Sequence, residues 1–415
     1  MEVLKIATAG SVDDGKSTLI GRILYDTKSL TDDKLEAIEK KSQSRGYDYL
    51  DFSLATDGLV AEREQGITID VAHIYFSTDN RSYIIADTPG HVEYTRNMVT
   101  GASTSQASVI LVDARNGVIE QTKRHFFINN LLRVKDIIVA VNKMDLVDFD
   151  ESKFDRIRSD VEKLAAQANY KNQSITFIPV SALKGDNVVY RSENTPWYRG
   201  KTLMEHFESI ENQDVYETAD ARFPVQSVIR PKQADYHDYR AYAGKLYGND
   251  LSVGDEVTIL PSMTKTKIKE IQFFGNTYET AKRGSSLTLS LEDDVNVSRG
   301  DTIVRSESIP RSGKELNATI CWMDRNPMRL ASRYELQHGT NKIMAKIKDI
   351  KSVLEVQSNQ QSHSVDNLVL NDIGTVSMQL NKTLFFDSYA KNKSTGCFIL
   401  IDKQTNTTAG VGFIE

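Results

Sequence analysis

The chain has 415 residues, 40% hydrophobic and 26% charged, with a formal net charge of −6, and this length predicts two or three soluble globular domains. It contains no run of eighteen apolar residues and no basic and apolar leader, so we expect no membrane helix, no membrane partner and no signal peptide. Its two cysteines, Cys321 and Cys397, indicate free buried thiols in a cytoplasmic protein, and the negative charge argues against nucleic acid as a partner.

The first half of the chain alternates strand-like and helix-like segments. This alternation predicts an α/β domain with a mainly parallel sheet that is covered on both faces. The polar turn at 78–81 is short enough for an antiparallel hairpin, which makes the stretch 71–87 an exception. The helix-prone segment 31–45 belongs to the long connection between the first predicted helix and the next predicted strand. Connections of this length are usually functional or mobile. The predicted strands are 3–9, 71–77, 82–87, 107–113, 137–142 and 175–180.

From about residue 220 the sequence changes to short alternating runs separated by Gly, Asp and Asn. This texture is typical of small antiparallel barrels or sandwiches. A further break near Pro310 divides the stretch in two. We therefore predict three domains: an α/β domain at 1–216 and two all-β barrel domains at 217–310 and 311–415.

The first predicted strand is followed by a Gly-rich loop that runs into a helical pattern. In this context Gly10 and Gly15 let successive N–H groups point at one phosphate, at the positive end of a helix. Lys16 adds a positive charge to the β- and γ-phosphates, and the Ser17 hydroxyl is placed to ligate Mg²⁺. A Gly-rich turn that matches by chance is the alternative. The loop consists of Gly10, Ser11, Val12, Asp13, Asp14, Gly15, Lys16, Ser17 and Thr18.

Two acids in this loop, Asp13 and Asp14, are unexpected beside a phosphate site. They repel a triphosphate unless they turn away or pair with cations. We expect Asp14 to point outward, toward a partner subunit or a neighbouring basic residue. The alternative is a solvated loop acid without a role.

Later segments contain the groups that phosphate hydrolysis needs. Thr68 can complete the coordination of Mg²⁺ and donate its backbone N–H to a γ-phosphate, although Thr-Ile is also ordinary strand material. A buried strand ends at Asp87, which suits a carboxylate that holds Mg²⁺ through water. Gly90 can bring its N–H to the γ-phosphate. His91 is placed to orient an attacking water, although a lone histidine is more often structural.

The strand 137–142 ends in Asn142-Lys143-Met144-Asp145, at the edge where ligands of open α/β sheets bind. The Asp145 carboxylate can accept hydrogen bonds from guanine N1–H and the 2-amino group. Adenine offers neither donor, so such a site discriminates by roughly 10⁴ or more. The Lys143 stem can cover a face of the base, and the N–H of Ala182 can donate to guanine O6. In chain order these segments predict a GTPase with GTP and Mg²⁺ as its ligands.

These arguments give three sets of predicted site residues. The catalytic residues are Lys16, Thr68, Gly90 and His91. The magnesium ligands are Ser17, Thr68 and Asp87. The nucleotide-binding residues are those of the loop from Gly10 to Thr18, with Asp87, Thr88, Pro89, Gly90, His91, Asn142, Lys143, Asp145, Ser181, Ala182 and Leu183.

On these motifs the chain resembles the translational GTPases, which share an Asp-Thr-Pro-Gly-His segment, an Asn-Lys-x-Asp segment and two β-barrels after the GTPase domain. Ser11 and Asp14 differ from the His that is usual in the loop of the elongation factors. The resemblance is closer to the GTPase subunits of bacterial ATP sulfurylase (sulfate adenylyltransferase subunit 1). It rests on segments along nearly the whole chain: 10–22, 57–71, 94–98, 181–188, 196–198, 223–226, 298–301, 386–389 and 396–402.

The resemblance implies an α/β P-loop GTPase domain with a mainly parallel sheet, followed by two all-β barrels. It also implies a partner, a smaller catalytic subunit that makes adenylylsulfate (APS) and diphosphate from ATP and sulfate in a cytoplasmic heterodimer. That reaction of sulfate assimilation is uphill, and GTP hydrolysis is coupled to it. Two alternatives stay open: an elongation factor-like GTPase that acts on the ribosome, and a scaffold that binds GTP without hydrolysing it.

Overall fold

The computed structural model describes residues 3–44, 46, 50–55, 71–88, 95–168, 170–211, 219–230, 240–355, 360–363 and 365–415. These residues form two compact units, one from the residues up to 211 and one from residue 219 onward. Each unit has its own hydrophobic core. Within the described residues, no helix is long and apolar enough to cross a lipid bilayer.

The first unit contains a six-stranded sheet. Its strands are β1 (Val3–Ala9), β2 (Ala72–Ser77), β3 (Ser82–Asp87), β4 (Ala107–Asp113), β5 (Asp136–Asn142) and β6 (Ser174–Pro179). The strand order is β2-β3-β1-β4-β5-β6, and all neighbours run parallel except the hairpin of β2 and β3. The central strand β4 is buried along its whole length, as expected of a sheet covered on both faces. The predicted parallel sheet and hairpin are therefore confirmed.

The register of this sheet brings polar strand ends together at one edge. Thr8 of β1 pairs with Asp87 of β3, and Asp113 of β4 pairs with Asn142 of β5. The Thr8 hydroxyl donates to Asp87 Oδ1 at 3.0 Å. Since these residues end parallel strands, they lie at the edge where open α/β sheets bind their ligands.

The helices of the first unit present apolar faces to the sheet. In the first helix Leu19, Ile20, Ile23 and Leu24 are buried and belong to the core of this unit. Of the helix-prone segment 31–45, residues Asp32–Ser44 form a helix, as the sequence predicts. The helices are α1 (Lys16–Asp26), α2 (Asp32–Ser44), α3 (Thr95–Ser103), α4 (Glu120–Leu131), α5 (Glu151–Gln167) and α6 (Leu203–Ser209), with short 3₁₀ turns at Phe52–Ala55 and Met144–Val147.

The second unit begins with an antiparallel barrel. Its strands are β7 (Arg222–Ile229), β8 (Ala241–Lys245), β9 (Leu251–Ser252), β10 (Glu256–Leu260), β11 (Thr264–Phe273), β12 (Asn276–Tyr278), β13 (Thr280–Ala281), β14 (Ser286–Leu291) and β15 (Thr302–Arg305). The ring runs β10-β15-β7-β8-β14-β11 and closes through the pairing of β11 with β10. Closure leaves no free edge on the six strands of the ring.

A second barrel follows in the same unit. Its strands are β16 (Arg311–Trp322), β17 (Met328–Arg329), β18 (Arg333–His338), β19 (Asn341–Glu355), β20 (Gln360–His363), β21 (Asn367–Leu368), β22 (Ile373–Phe386), β23 (Cys397–Ile401) and β24 (Thr408–Ile414). The ring runs β18-β23-β24-β16-β22-β19 and closes through β19 and β18. The predicted fold class, an α/β domain followed by all-β barrels, is confirmed. The limits 1–216, 217–310 and 311–415 stay predictions.

A buried ion pair connects the two barrels. Arg222 of β7 donates to both carboxylate oxygens of Asp387 at 2.9 Å, and the two side chains are only 1% and 5% exposed. The Thr395 hydroxyl also donates to this carboxylate, at 2.7 Å. Cys321 and Cys397 form no disulfide bond. Cys321 is buried as predicted, whereas Cys397 is only partly buried.

Candidate functional site

The loop between β1 and α1 requires glycine at one position. Gly15 has a φ of 92°, in the left-handed region. A Cβ at this position would lie 2.5 Å from Asn142 Nδ2. The loop can therefore pass this close to the end of β5 only because residue 15 has no side chain.

Lys16, the first residue of α1, crosses the loop. Its Nζ donates to the carbonyl oxygens of Gly10 at 2.8 Å and Ser11 at 2.9 Å. The side chain is buried, and burial lowers the pKa of Lys16 from its ordinary value. An ammonium group has three donors, so one remains for a phosphate oxygen beside the helix N-terminus.

Asp14 points into the protein, which shows that the expectation of an outward side chain is wrong. The residue is 4% exposed, and its Oδ2 accepts a hydrogen bond from Ser11 N–H at 2.6 Å. In return the N–H of Asp14 donates to Ser11 O at 3.3 Å. The carboxylate turns inward because it supplies an acceptor to a loop amide that would otherwise lack one. Burial raises the pKa of Asp14, and this hydrogen bond opposes the shift.

Asn142 connects the loop from Gly10 to Thr18, which we call the phosphate loop, to the loop after β6. Its Nδ2 donates to Asp14 O at 2.7 Å, and its Oδ1 accepts from Ala182 N–H at 2.9 Å. The sequence predicts that this N–H donates to guanine O6. In the structure this N–H donates to Asn142 Oδ1, because the parallel ends of β5 and β6 bring the two groups together. The contact of Ala182 N–H with guanine O6 stays a prediction.

The residues after Asn142 reach over the same loop. Lys143 has a positive φ of 61°, and its Nζ donates to Asp13 O at 2.5 Å. The same ammonium pairs with Asp113 Oδ2 at 3.0 Å. Asp145 lies in the following 3₁₀ turn and is partly exposed. Among the described residues no hydrogen-bond partner of its carboxylate is found, so it is available to accept from a base.

Sequence reasoning missed Asp113, which ends β4. Its carboxylate is 2% exposed and pairs with Arg115 at 2.7 Å and with Lys143. Burial opposes its ionisation, but the hydrogen bonds from Arg115 and Lys143 prevail and lower the pKa of Asp113 to about 2. The available signal was a buried strand that ends in an acid, the same signal that identified Asp87.

The donors at the end of β3 and the start of α1 suit a magnesium ion. Asp87 supplies a buried carboxylate, and Ser17 supplies a hydroxyl one residue into α1. Both are hard oxygen donors, which Mg²⁺ prefers. The Thr88 hydroxyl donates to Thr8 O at 2.5 Å and fixes the end of β3 against β1.

The other predicted residues border this region or lie outside the described part. Val12 is 40% exposed at the tip of the loop. Ser181 is buried and accepts a hydrogen bond from Lys184 N–H at 3.2 Å, and Leu183 O accepts from Arg22 at 3.3 Å. Thr18 is partly buried in α1. Thr68, Pro89, Gly90 and His91 are outside the described residues.

Known proteins are similar to the chain along its whole length. Residues 1–224 match the elongation factor Tu GTP binding domain, and residues 315–415 match the GTP-eEF1A C-terminal domain-like family. The chain is 47% identical over 415 residues to sulfate adenylyltransferase subunit 1 of Bacteroides fragilis, covering 100% of this chain and 86% of that protein. The corresponding protein of Colwellia psychrerythraea is 46% identical over 416 residues, with 100% and 88% covered. The bifunctional enzyme CysN/CysC of Mycobacterium tuberculosis is 46% identical over 413 residues, with 99% and 67% covered.

Proposed function

Because the chain belongs to the family of sulfate adenylyltransferase subunit 1 among the elongation factor Tu-like GTPases, we propose that it is the GTP-hydrolysing subunit of that enzyme. The carrying observation is the bridge made by Asn142, which holds the phosphate loop against the loop after β6. In this proposal, the two sheet-edge loops that the bridge connects together form the nucleotide site. The proposed cellular location is the cytoplasm.

Guanine selectivity in this proposal comes from Asp145. Its carboxylate accepts from N1–H and the 2-amino group of guanine, and adenine would leave it without a partner. The Lys143 stem, which extends from the end of β5 to Asp13 O, covers one face of the base. The pairing of Lys143 with Asp113 holds that stem in place.

Phosphate binding falls to the loop from Gly10 to Thr18. Lys16 holds the loop carbonyls and directs its remaining N–H toward the β- and γ-phosphates. Ser17 and Asp87, with Thr68 as the third predicted ligand, would hold Mg²⁺, which would neutralise negative charge on the phosphoryl oxygens. Thr68 and Gly90 are proposed to sense the γ-phosphate, and His91 to orient the attacking water.

The proposed purpose of hydrolysis is to drive APS synthesis by a smaller catalytic subunit in a hetero-oligomer. Loss of the γ-phosphate would release the segments around Thr68 and Gly90, and a subunit docked there would respond to the change. Such coupling requires that the partner binds the two arrangements with different affinity.

The test is a GTPase assay under three conditions: the chain alone, with the smaller subunit plus ATP and sulfate, and with ribosomes. We expect stimulation in the second condition, in line with the roughly 10³–10⁵-fold activation that partners give such GTPases. Stimulation by ribosomes alone would favour the translation-factor alternative. GTP binding without turnover in all three would favour the scaffold.

A further inference from the structure

We propose that Asp14 is a positioning residue whose buried negative charge weakens the hold of the phosphate loop on the nucleotide and thereby speeds GDP release. The role rests on the GTP binding proposed above. It concerns the side chain of Asp14, which the loop motif itself leaves unspecified.

The geometry places Asp14 and Lys16 on opposite groups of one loop residue. The Asp14 carboxylate accepts from Ser11 N–H at 2.6 Å, and the Lys16 ammonium donates to Ser11 O at 2.9 Å. Asp14 Oδ2 also lies 3.4 Å from the point where a Cβ on Gly10 would be. The carboxylate is therefore packed within the loop that would surround a phosphate.

The charge of Asp14 is not neutralised at close range. Among the described residues, no cation lies within salt-bridge distance of its carboxylate, whereas Asp113 pairs with both Arg115 and Lys143. Lys16 and Lys143 act on Asp14 only through longer-range attraction. A carboxylate at 4% exposure is poorly screened by water. It therefore reduces the attraction of Lys16 for phosphate and repels the phosphate itself.

If Asp14 only supported the loop through its hydrogen bond, its charge would have no effect on nucleotide release, and a neutral side chain that keeps the hydrogen bond would behave like Asp14. The amide oxygen of an Asn at this position can accept the hydrogen bond from Ser11 N–H, since Asn has nearly the same shape as Asp. Asp14→Asn thus removes the negative charge and keeps the hydrogen bond from Ser11 N–H, which we call the clamp. Asp14→Ala removes both.

A matched control is available on the same sheet. Asp136 begins β5, at the strand end opposite to Asn142, and is partly buried. Asp136→Asn removes one charge from the same unit without touching the loop. We expect it to release GDP at the wild-type rate.

The experiment measures dissociation of a fluorescent GDP analogue by stopped flow from the full chain, and equilibrium affinity for GMP, GDP and GTP. We expect Asp14→Asn to slow dissociation about tenfold, the equivalent of one pKa unit of interaction. The gain in affinity should increase from GMP to GDP to GTP, because the phosphate charge increases. If Asp14 acted only through its hydrogen bond to Ser11 N–H, the gain in affinity would not increase from GMP to GDP to GTP.

Dissociation from Asp14→Asn at or above the wild-type rate would overturn the role of Asp14, as would an equal gain for all three nucleotides. Asp14→Ala serves as the second variant and is expected to bind GDP more weakly than Asp14→Asn, because the loop loses its clamp. Failure of the wild type to bind any guanine nucleotide would instead reject the proposed function itself. The two failures are thus distinguishable.

Discussion

Gly15 and Asn142 lie in direct contact, and a single added carbon on Gly15 would stand 2.5 Å from the Asn142 side-chain amide. The same amide bridges Asp14 O and Ala182 N–H. Any shift of Asn142 therefore disturbs the phosphate loop and the loop after β6 together. The close approach therefore connects the two loops of the proposed nucleotide site.

Gly15→Ala should abolish tight nucleotide binding. The added methyl group displaces Asn142, and the residue must also keep a φ of 92°, which is unfavourable for alanine. We expect GDP affinity to fall about 100-fold or more, since two buried hydrogen bonds are disturbed. Titration with a fluorescent GDP analogue measures the change.

Gly117→Ala is the control for the backbone strain alone. Gly117 also has a positive φ, of 69°, but nothing lies within 4 Å of its added Cβ. We expect a loss of stability of about 1 kcal/mol and nearly normal GDP binding. Equal losses of affinity in the two variants would show that contact with Asn142 is unimportant.

Asp145→Asn should change the base that the site accepts. In the proposed site the carboxylate of Asp145 would accept two hydrogen bonds from guanine, whereas an amide would present a donor to the same position. That donor suits the 2-oxo group of xanthine. We expect GTP affinity to fall by about 10² or more and XTP to bind better than it binds the wild type. Competition between the two nucleotides measures this, and unchanged preference for GTP would remove Asp145 from base recognition.

His125 of α4 should make stability depend on pH. It is 2% exposed, and Nδ1 has no hydrogen-bond partner among the described residues. Burial, with the charges of Lys16 and Arg124, lowers the pKa of His125 from 6.5 to about 3. Between pH 6.5 and about pH 3, His125 is therefore protonated in the unfolded chain and neutral in the folded chain. The contribution of neutral His125 to the free energy of unfolding is fully present above pH 6.5. It falls as the pH decreases toward 3, by up to about 1.4 kcal/mol per pH unit.

Urea denaturation at several pH values between 7.5 and 4.5 measures this effect. His206 and His338 also have lowered pKa values because of burial, so the informative quantity is the difference between the wild type and His125→Gln. The wild type should lose more stability on acidification. Parallel profiles would contradict the assignment.

The sequence predicted those parts of the molecule that depend on local pattern. The buried strand that ends in Asp113 and the strand that ends in Asn142 have the apolar runs of a parallel sheet, and the loop glycines mark a phosphate site. The orientation of Asp14 could not be predicted from its hydrophilic character, because it is determined by the hydrogen bond from Ser11 N–H at 2.6 Å. The acceptor of Ala182 N–H could not be predicted either, because it depends on the register between two strands. Barrel closure depends in the same way on which strand edges meet.

Removal of either partner of the ion pair between Arg222 and Asp387 should destabilise the second unit. Arg222→Met leaves the buried carboxylate of Asp387 without its cation, which costs about 3–5 kcal/mol. Asp387→Leu should cost less, because Arg222 still pairs with Asp220 at 3.5 Å. The double variant should cost less than Arg222→Met alone, because it removes the buried carboxylate that Arg222→Met leaves unpaired. The exposed pair of Lys282 with Asp250 is the control, and its loss should cost at most about 1 kcal/mol. Urea denaturation of the full chain measures all four variants, and additive losses in the double variant would show that the two charges do not interact.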